Sequence, residues 1–191
     1  MLLQPRLETP RLWLQPADPA LAAATLAYQL RNRSHLGPWD PTPSEHFFTL
    51  GFWESRLKQR MREWQEGLGA AFFLQDKQDP EQILGTVSIS QIHRGIAQYA
   101  MLGYGIDHAC QGKGMMSEAL QAVVRFAFDE LKLHRLQASY QPSNQRSAAV
   151  LARLGFLIEG HASQYLFLNG SWRDHVVTAL INPRFDADNM L

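Results

Sequence analysis

The spacing of the hydrophobic positions changes along residues 99 to 131. Residues 99–106 are apolar or aromatic at nearly every position, which is typical of a strand covered on both faces. A turn with two glycines follows, Gln111-Gly112-Lys113-Gly114. From Ala119 onward the apolar residues recur at helical spacing, at 119, 120, 123, 124, 127, 128 and 131. This pattern predicts a strand, a glycine turn and a long amphipathic helix, which form the centre of the fold.

The segments on either side predict further strands and helices. Helices are predicted over residues 20–31 and 52–66 and in a short segment after Asn144, with an ordered loop over 31–45. An edge strand is predicted at 7–15, and other strands at 70–74, 83–90, 135–140 and 156–159. Asn169-Gly170, between strands at 165–168 and 174–181, predicts a hairpin. The order indicates an α/β fold with a parallel pairing around the central unit.

Composition limits the possible classes of protein. A chain of 191 residues that is 46% hydrophobic can bury one sizeable core, so we expect a single domain over residues 1–191 with its core at about 7–181. Eighteen basic and eighteen acidic side chains cancel, which predicts no general affinity for nucleic acid or membranes. The lone Cys110 and the absence of a signal-like N-terminus favour a soluble cytoplasmic protein. The seven histidines are scattered, so no metal site is predicted.

The glycine turn has the features of a phosphate cradle. A strand that enters a helix through such a turn directs unpaired backbone N–H groups at one point, where the helix dipole and Lys113 add positive charge. Gly112 and Gly114 permit positive φ and close approach of an anion. The alternative is that the glycines only shape a tight turn. Neither the GxxxxGK[ST] loop nor a GxGxxG fingerprint followed by an acidic residue is present.

The turn resembles the pyrophosphate loop Q/R-x-x-G-x-G/A of the GCN5-related N-acetyltransferases (GNAT). It reads Gln111-Gly112-Lys113-Gly114-Met115-Met116, and Met116 stands where glycine or alanine is usual. Further stretches resemble the Rim-type acyltransferases of that superfamily: LETPRLWLQP, NRSHLGPWDP, GYGIDHACQGKGMMSEAL, NQRSAAVLARLGF and NGSWRDHVVTAL. The resemblance spans nearly the whole chain. It implies the GNAT fold, a mixed, mostly antiparallel sheet with a parallel central strand pair flanked by helices.

The same resemblance implies a site for acetyl-CoA. The cofactor is expected to pair with the backbone of Tyr104, Gly105 and Ile106, and Gly103 to Gly105 are expected to form the strand bulge of the family. The pyrophosphate is expected on the N–H groups of Gln111, Gly112, Lys113, Gly114, Met115 and Met116. Asn144 is expected near the pantetheine arm, and Ser147 near the thioester sulfur as a catalytic residue. Asn144 as a helix cap and Ser147 as a first-turn residue remain alternatives.

No general base transfers from the family. By resemblance, its glutamate positions are Ser139 and Leu166 here, and its tyrosine acid is Leu151. An α-amino group has a pKa near 7.7–8.0, so deprotonating it at pH 7 costs only about 1 kcal/mol, whereas a lysine near 10.4 would cost about 4.6 kcal/mol. The missing base therefore favours an α-amine over a lysine as acceptor. A covalent route through Cys110 is not favoured, because a thiol there would face the pyrophosphate end.

The loop and hairpin signatures most resemble family members that acetylate the N-terminal alanine of a small-subunit ribosomal protein. The expected partner is therefore a nascent or newly made ribosomal protein, attacked directly in a ternary complex. Trp39 and Trp172 are expected to supply contact surface for it, and Tyr99 to line the acceptor tunnel unless it is a core aromatic. Two alternatives remain: a small-molecule N-acetyltransferase acting on a polyamine, amino acid or drug, and a non-catalytic acetyl-CoA binder in ribosome assembly.

Overall fold

The structure, a computed structural model, describes residues 3–187. Its helices, numbered α1 to α5 in chain order, are Ala22–Arg31, Arg33–Leu36, Leu50–Gln65, Met115–Asp129 and Gln145–Arg153. Its strands β1 to β8 are Leu7–Glu8, Leu12–Pro16, Ala70–Asp76, Gly85–His93, Tyr99–Ile106, Arg135–Tyr140, Leu157–Leu168 and Ser171–Ile181. Short 3-10 turns lie at Pro19–Leu21, Glu45–Phe48 and His108–Cys110. None of the helices in this part of the chain is both long and apolar enough to cross a membrane.

All eight of these strands form one sheet in the order β1-β2-β3-β4-β5-β6-β8-β7. Neighbouring strands are antiparallel except β5 and β6, which are parallel. The parallel pair is joined through α4, because parallel neighbours need a long crossover. The predicted mixed sheet, with one parallel pair near its centre, is confirmed.

Two hydrophobic cores cover the two faces of the sheet. On one face α4 packs on the sheet through side chains such as Leu120, Val123 and Phe126. On the other face α1 and α3 pack through Tyr28 and Leu57. The buried strand β3 serves both faces, since Phe72 belongs to the first core and Phe73 to the second. Burial on both sides explains why the central strands have apolar residues at consecutive positions.

The central strands separate where the site lies. The β5–β6 ladder contains only the pairs Tyr99–Arg135, Ala100–Leu136 and Met101–Gln137, whereas β4 follows β5 as far as Ile106. Beyond Met101 the edge of β5 that faces β6 therefore has no strand partner. The result is an open cleft between two strands of an otherwise continuous sheet.

Several predicted boundaries are corrected by the structure. The bulge expected around Tyr104 is absent there; the register shift lies between Ser90 and His93, where Gln91 has a φ of 52°. The helix α4 begins at Met115, four residues before the first residue of its apolar stripe. The predicted edge strand is divided between β1 and β2, because Thr9 closes a tight turn with Leu12.

The predicted loop after α1 contains the short helix α2, whose last turn is closed by the Gly37 N–H donating to the Arg33 carbonyl. The first residue after β8 is also fixed against the rest of the fold. Asn182 is buried and its side chain donates to the Leu133 carbonyl.

Candidate active site

The cleft between β5 and β6 opens into a cavity of about 1430 Å³. Its walls are the end of β5, the glycine turn, the start of α5 and the loop after α2. The cavity brings together most of the residues expected from the sequence: Trp39, Tyr104, Gly105, Ile106, Gln111, Gly112, Gly114, Met115, Met116, Asn144 and Ser147.

The glycine turn at the start of α4 has the backbone geometry of an anion site. Gly112 and Gly114 have φ values of 72° and 75°, a region that side chains with a Cβ seldom adopt. A Cβ on Gly112 would meet nothing within 4 Å, so the surface of the turn is open. Gly114 is the N-cap residue of the 15-residue α4, whose first-turn N–H groups lack helical partners. A diphosphate fits these donors and the positive end of the helix dipole.

A salt bridge from the first strands holds the turn in place. The Arg11 Nε donates to Glu118 Oε2 at 2.7 Å, and Arg11 Nη1 donates to the Lys113 carbonyl at 3.0 Å. Desolvation alone would raise the pKa of Glu118, but hydrogen bonds from Thr9 and Arg11 outweigh it and lower that pKa. The Lys113 side chain is exposed and does not line the cavity, so its expected contribution is limited to the backbone.

Basic side chains face the turn from α5. Arg146 donates to the Gln111 side chain, whose amide nitrogen lies 2.9 Å from the His35 Nε2. Desolvation, with the neighbouring His108 and Arg146, lowers the pKa of His35, so the ring is neutral at pH 7. Seven residues after Arg146, Arg153 also lines the cavity and donates to Ser117 Oγ at 3.1 Å. Neither arginine is among the site residues expected from the sequence, although a spacing of seven residues places two side chains on one helix face.

A hydroxyl pair joins β5 to the first turn of α5. The Tyr104 hydroxyl and Ser147 Oγ are 2.8 Å apart, which joins β5 to α5 across the opening. Burial raises the pKa of Tyr104 to about 12, so the phenol stays protonated at pH 7. Asn144 Oδ1 accepts a hydrogen bond from the Ser147 N–H at 3.1 Å, so the side chain caps α5, the alternative considered for it, and it also lines the cavity.

A comparison with protein-family models matches residues 11–157 to the acetyltransferase (GNAT) domain. The chain belongs to the GNAT acetyltransferase family. The family and the enzyme class predicted from the sequence are thereby confirmed.

Two relatives of this acetyltransferase are named for the acetylation of a ribosomal protein, and a third is named RimJ. The Escherichia coli [ribosomal protein uS5]-alanine N-acetyltransferase is 40% identical over 179 residues, which cover 93% of this chain and 91% of that protein. The crystal structure of the ribosomal-protein-S5-alanine acetyltransferase from Vibrio fischeri is 38% identical, with a TM-score of 0.91 over 96% of this chain and 100% of the other. Mycobacterium smegmatis RimJ in complex with CoA-disulfide is 28% identical, with a TM-score of 0.85 over 97% of this chain and 88% of the other.

Two expected acceptor residues of this acetyltransferase lie outside the cavity. Tyr99 is at the closed end of the β5–β6 pair and stacks on His93 with ring centroids 4.7 Å apart. Trp172 packs against Phe167 on the outer hairpin and remains 58% exposed. The apolar pattern of a strand shows which of its faces is covered, but it does not show at which end the strand separates from its neighbour. The sequence therefore could not show that Tyr99 lies at the closed end of the β5–β6 pair.

The loop that carries Trp39 is nevertheless joined to the hairpin, as expected for two elements beside one opening. Asn169 in the hairpin turn donates to the Gly37 carbonyl at 2.8 Å and accepts from Thr42 Oγ1 at 2.8 Å. Trp39 itself lines the cavity. Of the three aromatic residues that were expected from the sequence to contact the acceptor, Trp39 is therefore the one that remains a candidate.

Cys110 lines the cavity but is buried. Desolvation, together with the charge of Asp107, raises the pKa of its thiol, so the nucleophilic thiolate is disfavoured. Across residues 3–187 there is no group of three or more His, Cys, Asp or Glu side chains that could hold a metal ion.

Proposed function

We propose that this chain is an acetyl-CoA-dependent N-α-acetyltransferase that modifies the N-terminal alanine of a ribosomal protein. The observation that carries the proposal is the edge of β5 beyond Met101, which β6 leaves unpaired and which includes Tyr104 of the Tyr104–Ser147 pair. The acceptor follows from the relatives, because the proteins from E. coli and V. fischeri are both named for alanine acetylation of one ribosomal protein.

The residues present fit acetyl-CoA. The free N–H and C=O groups of Gly103 to Ile106 suit the amides of a pantetheine arm, which would add to β5 like a further strand. The N–H groups of Gln111 to Met116 suit its pyrophosphate. Met116 does not obstruct this cradle, because its side chain is 6% exposed and packs in the core beneath α4. The departure of Met116 from the family pattern is thus accommodated by the hydrophobic core.

The chemistry is a direct acyl transfer. The amine nitrogen of the acceptor attacks the thioester carbonyl carbon, the C–N bond forms, and the C–S bond breaks with its electron pair going to sulfur. Ser147 donates a proton to the departing thiolate and is reprotonated by the Tyr104 hydroxyl, which bulk solvent then resupplies. This role suits a hydroxyl pair that is protonated at pH 7.

The expected partner is a newly made ribosomal protein in the cytoplasm, because only an unfolded N-terminus can enter a cleft between two strands. The chain is expected to act as a single domain. Gln141 donates to the Pro38 carbonyl at 3.1 Å, so the loop with Trp39 is tied to the strand end beside the cleft as well as to the hairpin. These ties support a preformed entrance for a peptide.

The proposal is tested by incubating the purified protein with acetyl-CoA and a ribosomal peptide that begins with alanine, beside spermidine and free amino acids. Mass spectrometry should locate the acetyl group on the alanine α-nitrogen. Acetylation of lysine side chains, or of spermidine without labelling of the peptide, would contradict the proposed acceptor. CoA binding without any transfer would favour the non-catalytic alternative.

A further inference from the structure

A second cavity of about 400 Å³ lies beside the first one and shares part of its lining. It lies between α3 and strands β3 and β4, on the face that α1 and α3 cover. Gln29, Leu36, Asp40, Thr86 and Ser88 line both cavities. An amine that enters from the α1–α3 face would therefore meet the β5–β6 cleft at these residues.

Asp40 supplies the one carboxylate among the described residues that line either cavity. No hydrogen bond or ion pair joins this carboxylate to any side chain or N–H group in residues 3–187. The arginines of the lining that lie on α1 to α3 already have other carboxylate partners: Arg31 pairs with Asp107, Arg33 with Glu45, and Arg56 and Arg60 with Glu63. Arg146 and Arg153 line the first cavity from α5. Asp40 is solvent-exposed, but the protein around its carboxylate displaces part of the water and raises its pKa, which makes it a better proton acceptor than an aspartate with its ordinary pKa.

Tyr28 borders the strand edge at the cleft and lies within electrostatic range of Asp40. Its hydroxyl is fully buried, has no hydrogen-bond partner among the described residues, and lies 3.3 Å from the position that a Cβ on Gly105 would occupy. Burial raises the pKa of Tyr28, and the charge of Asp40 raises it further, so the carboxylate acts on a group that borders Gly105. An unpaired buried hydroxyl is costly unless a ligand or water completes it.

We propose that Asp40 receives the α-ammonium group of the acceptor and takes its proton. The inference rests on the proposed function and deepens it by naming the base that the family pattern does not supply. The ammonium N–H bond breaks and its proton moves to the Asp40 carboxylate. The nitrogen lone pair then attacks the thioester carbonyl carbon, and Asp40 returns its proton to solvent. The nitrogen loses its second proton to the regenerated carboxylate after the C–N bond has formed.

The charges around the site support this assignment. An α-amine is mostly cationic at pH 7, because its pKa is near 7.7–8.0. Arg146 and Arg153 on α5 would repel that cation, and Asp40 is the carboxylate that the described lining offers to it, at the place where the two cavities share residues. A ligand ammonium at this position would also lie beside Tyr28, whose hydroxyl could accept a hydrogen bond from it.

The test is the pH dependence of kcat/KM for the alanyl peptide, from about pH 6.5 to 9. An enzyme without its base must wait for neutral amine, whose fraction falls about tenfold per pH unit below the amine pKa. The kcat/KM of Asp40→Asn should therefore be at least about tenfold below that of the wild type at pH 7. The difference between the two enzymes should narrow toward pH 9. Asp40→Glu, which keeps a carboxylate, should show the same shallow dependence of kcat/KM on pH as the wild type. Affinity for CoA should be unchanged in both variants.

Glu45→Gln is the matched control, because Glu45 is an exposed carboxylate of the same loop region and lines neither cavity. His35 and the arginines are the same in every variant, so their effects on the rate cancel in the comparison. If kcat/KM of Asp40→Asn falls by the same factor at every pH, or does not fall, the inference is overturned while the proposed function stays intact. If the wild type acetylates another amine instead, the proposed function fails, and the same profiles measured with that amine decide the role of Asp40.

Discussion

Replacing Gly114 with valine tests whether the glycine turn binds the pyrophosphate. Gly114 is the N-cap of α4 and has a φ of 75°. A left-handed conformation costs an L-residue roughly 1–2 kcal/mol, and more for a β-branched side chain. Space is not the obstacle, because the nearest atom to an added Cβ is Arg11 Nη2 at 3.6 Å, an ordinary contact. The effect of the substitution must therefore come from the backbone.

The strained turn can relax only by rotating the peptide groups on either side of residue 114. These are the N–H groups that would hold the pyrophosphate, so relaxation should remove at least one charge-assisted hydrogen bond to it. Such a bond contributes about 1.5–3 kcal/mol. We expect the CoA affinity of Gly114→Val to fall at least tenfold, which corresponds to about 1.4 kcal/mol. Titration calorimetry with CoA measures this loss directly.

Gly67→Val separates strain from binding. Gly67 also has a positive φ, 71°, and a Cβ there would meet nothing within 4 Å, but the residue lies just past the end of α3 and away from the cavity. Both variants should lose stability to a similar extent in denaturant unfolding, and only Gly114→Val should lose CoA affinity. A folded Gly114→Val protein that binds CoA as tightly as the wild type would refute the assignment of the turn.

Further predictions concern the hydroxyl pair and the salt bridge behind the turn. Ser147→Ala should lower kcat with little change in CoA affinity, because a proton donor acts only as the C–S bond breaks; equal losses in kinetics and calorimetry would instead indicate a cofactor-holding role. Tyr104→Phe should lower kcat to a similar extent, and the double variant should be no slower than either single one, since the pair acts as a unit. The pKa of Glu118 is lowered in the folded protein, so its ionised carboxylate stabilises the fold. This stabilisation is fully present above the ordinary carboxyl pKa near 4.3 and is lost as the pH falls through the lowered pKa of the folded state. Glu118→Gln should therefore reduce stability in urea unfolding at pH 7 by about 1–2 kcal/mol and flatten the acid dependence; an unchanged acid limb would contradict this.

The parts of the fold that the sequence predicts are those set by local chemistry. Strand β5 was expected at residues 99–106 and lies there, because its apolar run ends before Asp107, whose side chain caps the following 3-10 turn. The hairpin at Asn169-Gly170 is confirmed, since both residues adopt the positive φ that a tight hairpin turn requires. In each case the responsible residues are neighbours in the chain.

The parts that could not be predicted depend on contacts between distant segments. Arg11 and Glu118 are 107 positions apart, and their salt bridge fixes the glycine turn. Asp40 lies in a proline-containing loop whose sequence gives no sign that two cavities meet beside it. Residues of this kind carry no periodicity, so only the assembled sheet shows what they face.

The acceptor side and the cofactor side of the cleft are mechanically linked. Asp107, just before the glycine turn, accepts hydrogen bonds from Arg31 Nε at 2.5 Å and Asn32 Nδ2 at 2.9 Å at the end of α1. His35, in the helix before Asp40, contacts the Gln111 side chain in the turn itself. A substitution in the turn can therefore displace the loop that carries Asp40, and a reduced kcat alone cannot distinguish lost pyrophosphate contacts from a misplaced base. The affinity for CoA reports on the turn, because CoA binding does not require the acceptor. The pH dependence of kcat/KM reports on Asp40, because the acceptor amine must lose a proton.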